Sequence, residues 1–317
     1  MHEAAPTRKT LSAQTRSAHD AIWPLIACLM GNITLAFGPW FVRMADVGPV
    51  ASGFWRTALA APLLVALSFA GSRRPFAGAS ALTFVLLFGG VAFAADLASW
   101  HLGILRTTLA NSTLFGNSAT LMYPIYGFLI ARAWPTRSQG MALALAAIGA
   151  GLLMGRSYEL SPKHLAGDLL CLLAGTLYTV YFVMMAKARD TMQPLPALAL
   201  STIASTGPLL LFAWALGERI WPGNFGVLVG LALASQVIGQ GLMIYAIGHL
   251  SPLVVGITLL SQPIVAGILG WSVYGERLGA LDLVGAALVA VALVLVRREP
   301  RLAPAPAGTR PEAEGAA

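Results

Sequence analysis

The sequence predicts an all-α polytopic membrane protein, with ten transmembrane helices in two inverted five-helix repeats and both termini cytoplasmic. Three observations predict it. Hydrophobic residues are 57% of the chain and charged residues 10%, against about 25% charged in a soluble domain, so an ordinary wetted surface cannot be made. Apolar runs of near-spanning length follow one another from end to end, and the mean hydropathy is +0.74. The second half of the chain also repeats part of the first.

The elements follow from charge and from Pro/Gly punctuation. A polar N-terminus, 1–21, carries Arg8, Lys9 and Arg16, with no small-residue cleavage site behind a separate apolar run, and does not resemble a signal peptide. The helices are read at 22–44, 49–70, 80–104, 107–131, 138–155, 165–187, 197–216, 225–247, 252–274 and 281–297. Pro49, the Arg73-Arg74-Pro75 run, Pro135, Pro162, Pro194, Pro222 and Pro252 mark most of the breaks. The division between the third and fourth helices rests on Arg106 alone. The tail 298–317 is rich in Pro, Ala and Arg and is expected to be disordered. With the N-terminus inside, thirteen lysines and arginines fall in cytoplasmic segments and six outside, which sets the orientation. The net charge of +7 is therefore a topology signal, and it does not point to nucleic acid.

Sliding residues 100–156 along by 145 overlays them on 245–301 without a gap. Gly103 meets Gly248, Thr113 meets Thr258, Arg132 meets Arg277 and Gly140 meets Gly285. Two units result, 22–156 and 165–297. Five helices is an odd number, so the second unit enters the membrane inverted. Inverted repeats are a hallmark of secondary transporters, whose substrate site lies near the midplane between the repeats.

Mid-depth polar groups then select the interior helices. Asn32, Asn117, Tyr178, Gln236 with Gln240, and Gln262 centre the first, fourth, sixth, eighth and ninth helices, and Asp96 lies one turn past the centre of the third. A bare amide in hydrocarbon costs several kcal/mol. Helices 1, 3, 4, 6, 8 and 9 are thus expected to face one another, with 2, 5, 7 and 10 toward lipid. Asn117 and Gln262 are equivalents under the 145-residue shift and would flank the pseudo-twofold axis. The amides fit either a polar cavity or simple ties between helices. Trp23, Trp40, Trp134, Trp214 and Trp221 read as interfacial belt residues, whereas Trp100 and Trp271 are candidate pocket residues. Cys28 and Cys171 read as buried thiols, and no metal site, cofactor or catalytic residue is indicated.

Arg56 stands in the otherwise apolar stretch 51–71. At 1.5 Å per residue it lies roughly 10 Å inside the outer boundary, and Asp96 on the next helix lies at roughly 13 Å. The two are expected to pair, with Arg56 also free to snorkel outward. The functional alternative is that one of them meets a zwitterion or a transported proton.

Phe54-Trp55-Arg56-Thr57-Ala58-Leu59-Ala60 resembles the second-helix motif of EamA-type members of the drug/metabolite transporter superfamily. The run from Asp96 to His101, then Thr107 to Asn117, resembles their third and fourth helices, and Tyr274 to Leu278 the end of the penultimate helix. Glu276 has no acidic counterpart in the first half, where Ala131-Arg132 stands, so no role for that acid carries over there. The resemblance implies ten helices, a central cavity and, commonly, export of amino acids or other metabolites. The superfamily also includes aromatic amino acid exporters of the YddG type.

The expected function is export of small neutral or zwitterionic metabolites, most readily amino acids, by alternating access in the cytoplasmic membrane. The partners are a small-molecule substrate and the lipid bilayer. A sugar-phosphate or nucleotide-sugar exchanger would want buried cations for phosphate, yet Lys163 and Lys187 lie at loops. A multidrug exporter remains an alternative. A membrane enzyme is disfavoured by the lack of His-Glu-x-x-His, Gly-x-Ser-x-Gly or a close carboxylate pair in any span.

Overall fold

The computed structural model describes residues 8–107, 115–154, 162–274 and 279–297. Among them the secondary structure is entirely helical. The first helix, α1, runs Arg8–Leu35 and resumes after a turn as Gly38–Met44, the break falling just before Pro39, which has no N–H to give the preceding turn. Then come α2, Pro49–Gly71, and α3, a 3-10 turn Ala79–Leu82 continuing as Thr83–Ile104. They are followed by α4, Ala119–Ala131, α5, Arg137–Met154, α6, Leu165–Arg189, and α7, Pro194–Ala215. In α8, Gly226–Leu231 and Gly241–Ile247 flank a π-helical segment, Ala232–Gln240. Last are α9, Pro252–Leu259 plus Ser261–Tyr274, and α10, Ala280–Arg297.

Proline opens α2, α7 and α9, where its fixed φ suits the first turn and its missing N–H is no loss. Six stretches among the described residues are long and apolar enough to cross a membrane: Ile22–Met44, Pro49–Gly71, Ala79–Ile104, Leu165–Arg189, Pro194–Ala215 and Gly226–Ile247. Shorter apolar helices lie at Ala119–Ala131, Pro252–Val265 and Leu283–Val296. The chain is a multi-pass membrane protein. Residues 108–114 and 275–278, which contain the start of the expected fourth helix, Thr113, Glu276 and Arg277, lie outside the described residues.

The most extensive helix contacts are α3 with α6, α5 with α10, α2 with α7, α1 with α8, α3 with α7 and α4 with α9. Small residues permit the close crossings. A Cβ on Gly90 of α3 would stand 2.5 Å from the Cβ of Ala204 and 2.6 Å from the Ser201 carbonyl oxygen of α7. One on Gly256 of α9 would stand 2.6 Å from the Pro124 ring of α4. Most of the hydroxyls that pack between helices bond to carbonyls of their own helix, as in Ser68 to Leu64 and Ser205 to Ser201, both 2.7 Å.

The assignment of helices 2 and 7 to lipid is corrected here. They bury one face against each other, and the buried face of α2 includes Ser52, Gly53, Arg56 and Thr57. Arg56 is the one charge on α2, and its few other polar groups do not reveal that face in the sequence. By contrast α5 and α10 form a separate apolar cluster with Leu253, Ile257 and Leu260 of α9.

Candidate functional site

The start of α2 is pinned from outside. Glu218, in the turn after α7, accepts from the Ala51 amide at 2.8 Å and the Val50 amide at 3.3 Å. The carboxylate thus caps a helix N-terminus, where free N–H groups and the helix dipole favour an anion. Trp55 Nε1–H donates to the Ile220 carbonyl at 2.7 Å, and Asp46 holds Gly223 N–H at 2.6 Å and Arg219 at 3.6 Å. This clamp fixes the turn of α2 that carries Arg56.

Arg56 points inward. Its Nε–H donates to Gln236 Oε1 at 2.9 Å, one Nη2 hydrogen points at the Ser235 carbonyl at 3.5 Å, and its Cζ lies 5.5 Å from the centroid of the Phe93 ring. The expected ion pair with Asp96 is not made, and Arg56 does not snorkel outward; it is 9% exposed. Gln236 on α8 supplies an acceptor within reach and Phe93 a ring to lie over, so the guanidinium is held by α8 and by a ring of α3, the helix that carries Asp96. Asp96 is also 9% exposed and faces the same space.

That space is a cavity of about 560 Å³, within the range of small-molecule sites. Of the residues predicted to meet substrate, Asn117, Tyr178, Gln240, Gln262 and Trp100 line it, together with Arg56 and Asp96. Gln240 donates to the Tyr178 hydroxyl at 3.1 Å. Asn32 and Gln236, expected to meet substrate, do not line the cavity and are fully buried behind its wall. Asn32 accepts from Gln262 Nε2 at 2.7 Å and donates to the Cys28 carbonyl at 3.0 Å. It sets the side chain that lines the cavity and stays behind it. The side chain of Trp271 lies outside the described residues.

Sequence reasoning missed His101, Phe93 and Trp40. His101 is 4% exposed, its Nδ1 has no partner, and it lines the cavity five residues beyond Asp96. It lies about 140° around the helix from Asp96 and about 100° from Trp100, so helical spacing from those two did not single it out. Phe93 stacks on Tyr181 at 4.6 Å, one layer of an aromatic wall that continues through Tyr178. Trp40, read as a belt residue, borders the cavity mouth together with Arg43 and Leu105.

The lining comes from the ends of α1 and α3, the start of α2, Gly116 and Asn117 just before α4 with its first residue Ala119, and the middles of α6, α8 and α9. The cavity therefore opens at the end of the bundle marked by Arg43, Pro49 and Leu105. Toward the other end the packing is tight. Tyr123 is 1% exposed, and a Cβ on Gly127 would stand 2.9 Å from the Pro252 ring. There Arg189 of α6 donates to the Ile244 carbonyl of α8 at 3.1 Å and to the Met192 carbonyl, tying those helix ends together.

Residues 165–298 match the EamA-like transporter family. The match covers the second half of the chain and supports the resemblance carried by the motifs. The chain is similar to a protein of Archaeoglobus fulgidus described as an uncharacterized transporter, 24% identical over 243 residues, 74% of this chain and 83% of that one. It also superposes on a crystal structure of a protein 14% identical to it, with TM-score 0.71 over 88% of this chain and 96% of the other. At that identity the likeness concerns the fold alone.

Proposed function

We propose that the protein is a secondary transporter that exports zwitterionic metabolites, amino acids with aromatic or bulky apolar side chains foremost, by alternating access through this cavity. One observation carries the reading. Arg56 and Asp96, groups of opposite sign, are buried in the wall of one cavity and interact through space without a direct ion-pair contact. A buried charge is costly without an opposite partner in direct contact, and a ligand with a carboxylate and an ammonium group would give each of them one. Phe93, Trp100 and Tyr178 supply apolar surface for its side chain. A phosphate ligand fits less well, because Asp96 would repel it. Within the superfamily this chemistry favours the aromatic amino acid exporters.

The test is a set of analogues in proteoliposomes. L-phenylalanine is expected to exchange, while phenethylamine (no carboxylate) and 3-phenylpropionate (no amine) each compete at least about 30-fold more weakly, the scale of one truncated charged contact. Equal competition by all three would sink the zwitterion reading.

The membrane arrangement is proposed as ten spans in two inverted repeats, with both termini in the cytoplasm. The helix pairings support it. Exchanging helices 1–5 for helices 6–10 maps α2–α7, α4–α9 and α5–α10 onto themselves, and interconverts α1–α8 with α3–α6. Together with the basic-residue bias, this makes the open end of the cavity the outer face. Reporter fusions at Gly71 and Ala317 are expected to read cytoplasmic and one at Lys163 external. An external reading at Ala317 would remove the ten-span count.

A further inference from the structure

We infer that Gln236 is a positioning residue that aims Arg56, and that through this aim the cavity selects a carboxylate at the α2–α8 side of its wall. The inference rests on the transporter reading for its biological meaning, though not for its test. A guanidinium has two edges able to grip a planar carboxylate with two parallel bonds, one made of Nε and Nη2 and one made of Nη1 and Nη2. In Arg56 the first edge is occupied by α8, through Gln236 Oε1 at 2.9 Å and the Ser235 carbonyl at 3.5 Å. Its Cζ lies 5.5 Å from the Phe93 centroid, within cation–π range. The second edge has no protein partner among the described residues, and Arg56 lines the cavity.

Gln236 can do this only if its amide is held the right way round. Its Nε2–H donates to Thr202 Oγ1 of α7 at 2.9 Å, which leaves Oε1 for Arg56. The whole relay, Thr202 to Gln236 to Arg56, is buried and spans three helices. It also sits on the π-helical stretch Ala232–Gln240, a departure from α geometry that recurs at functional sites. Gln236 does not itself line the cavity, so its effect on a ligand passes through Arg56.

The test uses purified full-length protein in detergent and two probes, 3-phenylpropionate and phenethylamine, with affinities read from ligand-induced shifts in Tm. Wild type is expected to bind both. In Gln236→Leu the affinity for 3-phenylpropionate is expected to fall about tenfold or more, the scale of a charge-assisted contact, while phenethylamine changes by less than about threefold. Gln236→Glu keeps the shape but neutralises the guanidinium, and is expected to weaken 3-phenylpropionate still further while sparing phenethylamine. Thr202→Val should reproduce part of the Leu effect. A merely structural role would move both probes together or neither, and either pattern overturns the inference, as does a wild type that does not bind 3-phenylpropionate. If Gln236→Leu does not fold, the Glu and Val variants decide by the same criterion. The transport reading fails separately: wild type that binds 3-phenylpropionate through Gln236 but moves no L-phenylalanine would keep this inference and discard that function.

Discussion

Arg56→Ala is expected to lower L-phenylalanine exchange at least about 100-fold while leaving folded protein in the membrane. Removing the guanidinium takes away the proposed partner of the ligand carboxylate, and truncating one side of a buried charged contact costs about 2–5 kcal/mol, with about 1.4 kcal/mol per factor of ten. The same change leaves Gln236 Oε1 without its donor. No direct ion pair is broken, because Asp96 is not the residue Arg56 holds, although Asp96 loses the nearby positive charge it feels across the cavity. Folding is therefore expected to suffer less than transport. Arg56→Lys should recover little, since an ammonium cannot keep one edge on Gln236 and offer another to the cavity. Exchange by Arg56→Ala within threefold of wild type would remove Arg56 from the site.

Asp96→Asn is the second large effect. Direct pairing with Arg56 would hold Asp96 as a fixed charge, but Arg56 bonds Gln236 instead. With Asp96 facing the cavity, its carboxylate is assigned to the ligand ammonium. Exchange and pH-driven accumulation of L-phenylalanine should then fall together, at least about 30-fold, by the same charged-contact scale. Binding of 3-phenylpropionate, which has no ammonium, should survive. The alternative outcome is distinct: loss of pH-driven accumulation with exchange intact would make Asp96 the proton carrier, a role open to carboxylates inside a bundle. Arg43 and His101 line the same cavity, and a pH dependence that persists in Asp96→Asn would point to His101.

The sequence by itself determined the solvent, the helices and most of the cavity wall. Composition alone excludes a wetted surface. Hydropathy with Pro/Gly punctuation placed nearly all helix ends within a few residues, because in hydrocarbon the backbone must satisfy itself and helix is the only local way to do so. The cost of bare amides likewise brought Asn117, Tyr178, Gln240 and Gln262 to one space. Tertiary structure decided what each polar group does there. Depth along a helix is readable from sequence, but rotation about its axis and the reach of a long side chain are not. So Arg56 and Asp96 shared a depth without sharing a bond. Asn32 and Gln236, at mid-depth like the others, turned out to hold Gln262 and Arg56 from behind the wall. The face of α2 stayed hidden because a single charge on an apolar helix carries no periodicity. Only the packing of α7 and α8 against it shows that this charge looks into the protein.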